Sequence, residues 1–242
     1  MKALPLLLVP GLMCDHAVWA PVLPWVQADR SCTVVDHAQS DSLPEMARQL
    51  LASAPPQFLM AGHSMGARVV LEVLRVAPER VRGVALMDTG FLPKPSGAAG
   101  DDETAKRLAL LQIAREQGVR AMAQQWVQGM VHRDRLGDAE LIERILAMFE
   151  RKSAAIFEQQ IRALLSRPDG AGVLRGLAVP TLLMCGAQDA WSPPAQHEAM
   201  QAIMLPALAQ LDLIDHAGHM APMERPAEVA ASLLRWLARC AS

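Results

Sequence analysis

The sequence lacks a long hydrophobic run, an excess of charge of one sign and a motif of paired cysteines. No apolar segment in the 242 residues reaches the ~20 residues that a transmembrane helix requires. The 23 basic and 25 acidic residues are mixed along the chain and leave a net charge of −2. This balance argues against a basic nucleic-acid-binding surface and gives no sign of a polybasic membrane patch. We therefore expect no nucleic acid and no membrane among the partners.

Motifs for metals, nucleotides and disulfides are also absent. The sequence has no HExxH, no GxGxxG and no GxxxxGK[ST], so zinc and nucleotide binding have no motif support. His216 and His219 lie three residues apart, but no further ligands with metal-binding spacing accompany them. We expect no metal and no other cofactor. The cysteines lack CxxC spacing and are expected to be reduced, buried and apolar in character; they are Cys14, Cys32, Cys185 and Cys240.

The N-terminal stretch MKALPLLLVPGLM has one lysine and an apolar run, as a short signal peptide does. It also has two prolines and no small-residue cleavage site, and charge and turn residues follow at once in CDH. The stretch is therefore predicted to be a buried strand, and the chain to be cytoplasmic.

Six short apolar runs predict the strands of one sheet. The chain is 52% hydrophobic and 20% charged, which is typical of a folded domain with a large core. The runs lack in/out alternation, as parallel strands covered on both faces do. Helical patterns separate them, so we predict an α/β fold with right-handed βαβ crossovers and helices on both faces. The predicted strands are residues 4–9, 33–35, 58–61, 83–88, 181–185 and 209–214.

Residues 93–170 interrupt this alternation. The segment begins with PKPSGAAGDDE and continues with four stretches whose apolar residues recur at i, i+3 and i+4. We predict an α/β core of residues 1–92 and 171–242 and a helical insert of residues 93–170. In the core, Ser42 and Glu45 have the spacing of a capping box, and Pro226 suits the first turn of the last helix.

The stretch GHSMG, residues 62–66, joins a predicted strand directly to a predicted helix. A serine between two glycines at such a turn is typical of a strained nucleophile elbow. A serine hydroxyl becomes a nucleophile only beside a base, a group that orients the base, and donors for the developing oxyanion. Ser64 is thus a candidate nucleophile, and a purely structural turn is the alternative.

Two further residues follow strands in the second half of the chain. Asp189 follows the strand that ends at 185, and His219 follows the strand that ends at 214. Parallel strands deliver their carboxyl ends to one edge of the sheet. We therefore predict that Ser64, Asp189 and His219 converge as a catalytic triad.

Other polar residues near this edge have competing interpretations. Asp88 follows an earlier strand and rivals Asp189 as the acid, although the GAQD context and the spacing to His219 favour Asp189. His63 is interpreted as a packing residue rather than a base. Arg68 lies just beyond the elbow, where it suits a surface salt bridge better than an anionic substrate.

These motifs together resemble the α/β-hydrolase superfamily, in the esterase and lactonase branch that includes 3-oxoadipate enol-lactonase-like proteins. The resemblance covers nearly the whole chain and is carried by LLLVPGL, GHSMGARVVLEVL, GVALMDTG, PTLLMCGAQDAWSP and HAGHMAPMERPAEVAASLLRWL. It implies that Ser64 attacks a carbonyl carbon to form an acyl-enzyme, with His219 as general base and Asp189 holding the imidazole.

The resemblance also implies an oxyanion hole and a cap. The amide of Met65 is one expected donor, and Leu12 in the PGL loop is the other, although relatives often have His-Gly where this chain has Pro-Gly. Many relatives have a strand hairpin before this loop, and this sequence has only about ten residues ahead of it, so we expect the hairpin to be absent and the sheet to be largely parallel with about six strands. The insert resembles the cap, and Trp126, Met130 and Trp191 are candidate substrate-binding residues.

The expected function is hydrolysis of a small carboxylic ester, thioester or lactone. The same triad also serves C–C bond hydrolysis of diketones and cofactor-free perhydrolysis, and these remain alternatives. A non-catalytic small-molecule binder with this fold is an alternative from another class. The sequence leaves the substrate and the oligomeric state open.

Overall fold

A computed structural model describes residues 3–37 and 40–241. Residues 1–2, 38–39 and 242, which belong to the predicted core segments, lie outside the described residues. The strands are β1 (Leu6–Val9), β2 (Cys32–Val34), β3 (Phe58–His63), β4 (Val81–Met87), β5 (Thr181–Gly186) and β6 (Ala209–Ile214). The α-helices are α1 (Leu23–Val26), α2 (Leu43–Ser53), α3 (Met65–Val76), α4 (Ala98–Glu116), α5 (Val119–Trp126), α6 (Ala139–Glu150), α7 (Ala154–Leu165), α8 (Ala171–Gly176), α9 (Pro194–Ala202), α10 (Ala221–Glu224) and α11 (Pro226–Cys240).

The six strands form one sheet in the order β2-β1-β3-β4-β5-β6, and every neighbouring pair is parallel. The predicted fold class is confirmed, and the ends of the predicted strands shift by no more than two residues. The strand order reverses between β1 and β3, since β2 lies on one side of β1 and all later strands lie on the other. Ligands of open α/β sheets bind at such a switch point, outside the carboxyl ends of the strands.

The inner strands are almost entirely buried because helices cover both faces of the sheet, and Arg82 near the start of β4 is the exception among them. Strands β1, β3 and β5 have no exposed residue, whereas the two edge strands β2 and β6 are partly exposed. Helices α3 and α11 both pack on β4. This arrangement explains why the inner runs are continuously apolar.

Two local helix signals have different outcomes. Pro226 is the first residue of α11, as predicted, where its missing N–H costs no helical hydrogen bond. The predicted capping box at α2 does not form. Ser42 occupies the N-cap position, but its side chain makes no capping hydrogen bond. The carboxylate of Glu45 instead accepts hydrogen bonds from Arg48 and Gln49 on the following turn.

Helices α4 to α7 lie between β4 and β5 in the chain and pack mainly on one another. Long-range polar contacts join them to the loop that follows β1. The Gln160 side-chain oxygen accepts the backbone N–H of Met13 at 2.8 Å. Arg151 forms a two-pronged ion pair with Asp15, with distances of 2.6 and 2.9 Å. The inserted helices are thus fixed to the carboxyl edge of the sheet.

All four cysteines are free thiols; Cys14 and Cys185 are buried, whereas Cys32 and Cys240 are only partly buried. Among the described residues, no helix combines the length and the apolar character that crossing a bilayer demands.

Candidate active site

Ser64 occupies a sharp turn between β3 and α3 with a strained backbone. Its φ of 54° and ψ of −117° lie in a region that residues with a Cβ rarely adopt. Two hydrogen bonds to the end of β4 hold the turn. The Ser64 amide donates to the Met87 carbonyl at 2.8 Å, and the Thr89 hydroxyl donates to the Ser64 carbonyl at 3.0 Å. These hydrogen bonds to the neighbouring strand end therefore hold Ser64 in a backbone conformation that is locally unfavourable.

The flanking glycines make this turn possible. A Cβ at Gly62 would lie 2.5 Å from the Cα of Ala67. A Cβ at Gly66 would lie 2.1 Å from the carbonyl oxygen of Val9 on the neighbouring strand. Both contacts involve backbone atoms that cannot rotate away, so the spacing of GHSMG has a steric cause.

The structure brings Ser64, Asp189 and His219 together at the carboxyl edge of the sheet. The Nε2 atom of His219 lies 2.9 Å from the Ser64 Oγ, and its Nδ1 atom lies 2.8 Å from the Asp189 Oδ2. Asp189 and His219 are buried, and Ser64 is partly exposed to a cavity. Hydrogen bonds of this length and order give the serine hydroxyl a proton acceptor and the acceptor an orienting carboxylate.

Asp189 stays ionised in this buried position. Burial by itself would raise its pKa, but the neighbouring His219, the hydrogen bond to it, and the amides of Ser192 and Trp191 outweigh burial and lower the pKa to about 2. Those amides donate to the Asp189 Oδ1 at 3.0 and 2.8 Å. The carboxylate can therefore fix the His219 ring with its Nδ1 carrying the hydrogen.

The loop that carries His219 is held by Glu224, a residue that the sequence analysis missed. One carboxylate oxygen of this buried side chain accepts the amides of Gly218 and Met220, at 2.9 and 3.2 Å. The other accepts the His132 amide at 2.7 Å. The five-residue spacing from His219 to Glu224 is visible in the sequence. Nothing in the sequence indicates that Glu224 also binds the amide of His132.

The two rivals named from the sequence have other partners. Asp88 is fully buried, and its Oδ1 accepts the Gly186 amide at 2.9 Å. Its Oδ2 lies 3.7 Å from the His63 Nε2. His63 in turn directs Nε2 at the backbone carbonyl of His219, at 2.8 Å. Neither residue is hydrogen-bonded to the side chains of the Ser64–His219 pair.

The proposed oxyanion donors lie next to Ser64. Met65 is the first residue of α3, and Leu12 lies on the cavity wall in the turn after β1. No acceptor for either backbone N–H occurs among residues 3–37 and 40–241. The adjacent Met13 amide is taken by Gln160, so the inserted helices fix this turn.

A cavity of about 730 Å³ opens above Ser64 and His219. Much of its apolar wall comes from the inserted segment. The wall includes the three predicted substrate-binding residues and two further aromatic rings, namely Trp126, Met130, Trp191, Phe149 and Phe157. The Trp126 and Trp191 rings stack with centroids 5.4 Å apart, and Trp191 also contacts the His219 ring at 4.9 Å. Trp19, in contrast, is fully buried in the core and does not line the cavity.

His216 lies outside this cavity, near His132 and Asp134. Ligand atoms of the three residues lie within 4.8 Å of one another. The His132 Nδ1 already accepts the Asp134 amide, and the side chains of Asp134 and His216 are two-thirds exposed. The expectation that the chain binds no metal stays a prediction.

Comparisons with known proteins agree with this fold. The alpha/beta hydrolase family model matches residues 4–232. No curated protein sequence gives a significant match. Similar solved structures include an esterase from Thermogutta terrifontis, with 24% identity and a TM-score of 0.85 over 100% of this chain and 92% of that chain. An enol-lactonase from Burkholderia xenovorans LB400 is 18% identical, with a TM-score of 0.86 over 98% of this chain and 92% of that chain. A bromoperoxidase from Bacillus anthracis is 18% identical, with a TM-score of 0.83 over the same shares.

Proposed function

The chain belongs to the alpha/beta hydrolase family, and on this premise we propose that it is a serine hydrolase of a small carboxylic ester, thioester or lactone. The observation that carries the proposal is the pair of hydrogen bonds at His219, 2.9 Å to the Ser64 Oγ and 2.8 Å to the Asp189 Oδ2. A relay of this order generates a serine nucleophile. The esterase and the enol-lactonase similar to this chain support the class of bond.

In the first half-reaction, His219 Nε2 takes the Ser64 hydroxyl proton while Oγ bonds to the substrate carbonyl carbon. The negative charge that develops on the carbonyl oxygen is stabilised by the backbone N–H groups of Met65 and Leu12. The tetrahedral intermediate then collapses. Its bond to the leaving oxygen or sulfur breaks, and His219 returns the proton to the leaving group, so an ester of Ser64 remains.

In the second half-reaction, His219 removes a proton from water, and the hydroxide oxygen bonds to the acyl carbon. The bond to the Ser64 Oγ breaks, His219 reprotonates the serine, and a carboxylic acid leaves. Asp189 remains a carboxylate throughout, because its lowered pKa keeps it ionised. It accepts the Nδ1–H of His219 and stabilises the imidazolium that each step creates.

The inserted helices form a cap over the reaction in this proposal. Their aromatic side chains line the cavity opposite Ser64, which removes water from the acyl group and strengthens the polar contacts within. Trp126, Met130 and Trp191 are the proposed contacts to the apolar part of the substrate.

The test combines turnover with covalent labelling. Ser64→Ala should lose p-nitrophenyl butyrate hydrolysis by on the order of 10³-fold or more, and a fluorophosphonate should label the wild type but not this variant. Ser166→Ala, which removes a serine at the end of α7 outside the cavity, is the matched control. Turnover retained in Ser64→Ala contradicts the proposal.

Two other outcomes identify the alternatives. Cleavage of a vinylogous diketone without cleavage of any ester identifies a C–C bond hydrolase. An unlabelled Ser64 in folded wild-type protein identifies a non-catalytic binder.

A further inference from the structure

Arg68 lies four residues after Ser64 on α3, and its side chain lines the same cavity. The side chain is partly buried, and the expected surface salt bridge is wrong. Among residues 3–37 and 40–241, no carboxylate lies within salt-bridge distance of its guanidinium. Its Nη1 donates at 2.8 Å to the backbone carbonyl of Leu92, while Nε and Nη2 have no acceptor in the described part of the chain. A partly buried cation that faces a cavity without a counter-ion is stabilised when a ligand supplies one.

A second guanidinium lies beside it. Arg167 Nε donates at 3.3 Å to the same Leu92 carbonyl oxygen that Arg68 contacts. Arg167 also lines the cavity and is nine-tenths buried. The two guanidinium groups share one acceptor and repel each other. An anion bound between them would offset this repulsion.

The carboxylates nearby do not balance these cations. Glu103 accepts hydrogen bonds from Arg167 at 2.7 and 2.8 Å and from Arg107 at 3.0 Å, so one carboxylate already serves two guanidinium groups. Asp88 also borders the cavity, but burial raises its pKa well above its usual range. Burial and the neighbouring Arg167 lower the pKa of Arg68 only to about 9, which leaves it a cation at neutral pH.

The free edge of Arg68 has a defined shape. The point that a Cβ of Gly90 would occupy lies 2.3 Å from the Gln196 side-chain oxygen and 3.2 Å from the Arg68 Nη2, so this edge of the guanidinium faces Gly90 and Gln196 on the cavity wall. The Nε and Nη2 atoms form a planar fork that matches the two oxygens of a carboxylate. Arg68 begins about 6 Å along the helix from Ser64, given the rise of 1.5 Å per residue.

We propose that Arg68, with Arg167 beside it, binds a carboxylate of the substrate, so that the substrate is an ester, thioester or lactone carrying a second, anionic group. This inference rests on the proposed function and narrows its substrate class. The aromatic wall receives the apolar part of such a molecule, Ser64 attacks its carbonyl group, and the Arg68 fork holds its carboxylate.

The test compares esters that differ only in one charge. One pair is p-nitrophenyl hydrogen glutarate and its neutral methyl ester, with the charge on the acyl side. The other is 4-acetoxybenzoate and its methyl ester, with the charge on the leaving group. The wild type should show a kcat/KM about 10-fold or more higher for the anion in at least one pair, given the usual strength of charged hydrogen bonds.

Variants assign this preference to the residue. Arg68→Met should lower the ratio of kcat/KM for the preferred anion to kcat/KM for its neutral partner about 10- to 100-fold. Arg68→Lys should restore part of the preference, because it keeps the charge and loses the fork. Arg162→Met on α7, which removes an exposed arginine paired with Glu158, is the control for net charge. The ratio of kcat/KM for the anionic ester to that for the neutral ester should be the same in Arg162→Met as in the wild type.

The outcomes separate this inference from the proposed function. If p-nitrophenyl butyrate is cleaved but neither pair shows an anion preference in the wild type, the carboxylate subsite is wrong and the hydrolase stands. If no ester is cleaved, calorimetric binding of glutarate to the wild type decides. Binding that Arg68→Met abolishes supports the subsite, and the absence of binding overturns it. The comparison of anionic and neutral esters uses only the wild-type protein. It therefore tests the inference even if Arg68→Met does not fold.

Discussion

The Nε2 atom of His63 donates a hydrogen bond of 2.8 Å to the backbone carbonyl oxygen of His219. The residue that precedes the proposed nucleophile thus holds the main chain of the proposed base. Their rings lie 5.3 Å apart. Burial lowers the pKa of His63 to about 3, so the ring is neutral at physiological pH. Because a carbonyl oxygen only accepts, Nε2 must carry the hydrogen.

Removing this donor should misplace the base without emptying the cavity. We expect His63→Phe to lower kcat about 10- to 100-fold, the cost of a buried carbonyl left without its donor, with KM changed less than about threefold. His63→Gln places an amide N–H near the Nε2 position and should recover part of kcat. Fluorophosphonate labelling should slow in parallel. A His63→Phe enzyme with wild-type kcat refutes the positioning role.

The three amides bound by Glu224 predict a large effect on stability. Glu224→Ala leaves the N–H groups of His132, Gly218 and Met220 without their acceptor. The free energy of unfolding in urea should fall by about 2–4 kcal/mol. Glu224→Gln keeps one oxygen and should lose less. Glu228→Gln, at an exposed ion pair with Arg225, is the control and should match the wild type. Equal stability of all three variants would disprove that Glu224 stabilises the fold by binding these three amides.

Asp88 predicts a stability difference that depends on pH. Burial and the nearby Asp189 raise its pKa in the folded chain, so the folded state holds the proton more tightly than the unfolded state. The stabilisation by that proton is complete below the unfolded pKa of about 4, and it is lost as the pH rises toward the folded value. Asp88→Asn retains an oxygen for the Gly186 amide and removes the ionisation.

The measurement is urea unfolding of both proteins from pH 4 to pH 8. The free energy of unfolding of Asp88→Asn, relative to that of the wild type, should increase as the pH rises. Asp102→Asn, which alters an exposed carboxylate paired with Lys106, is the control and should show no such trend. A difference between Asp88→Asn and the wild type that is constant with pH contradicts the assignment.

The elbow glycines predict a steric effect. A Cβ at Gly66 would lie 2.1 Å from the Val9 carbonyl oxygen, so Gly66→Ala should lower the free energy of unfolding by about 3 kcal/mol or more. Gly172→Ala is the matched control in α8, where a Cβ meets nothing within 4 Å. It should stabilise by up to about 1 kcal/mol, the helix propensity difference. Thermal and urea unfolding compare the two, and equal effects would refute the steric explanation.

Much of the fold was predictable because it depends on local patterns. Burial on both faces of a parallel sheet requires continuous apolar runs, and these runs place all six strands. The sharp turn between β3 and α3 needs two glycines for steric reasons, so GHSMG marks its own position in the sequence. The capping box failed because Glu45 found nearer cationic and amide partners in Arg48 and Gln49, a competition that spacing alone does not decide.

Long-range partner choice was not predictable. The Gln160 oxygen meets the Met13 amide across 147 residues, and Glu224 meets the His132 amide across 92. Arg68 was expected to find a surface carboxylate, yet packing of the inserted helices places it in a cavity beside Arg167. No periodicity in the sequence encodes such encounters, since they depend on how separate helices pack.

The sequence by itself determined the parallel sheet, the strained turn at Ser64 and the strand ends that carry Asp189 and His219, because hydrophobic period and backbone sterics act over a few neighbouring residues. Only the tertiary structure decided the distances at His219, the amides that Glu224 binds and the unpaired charge of Arg68 in the cavity. Hydrogen bonds and charges act through space, and their partners become neighbours only when the chain is packed.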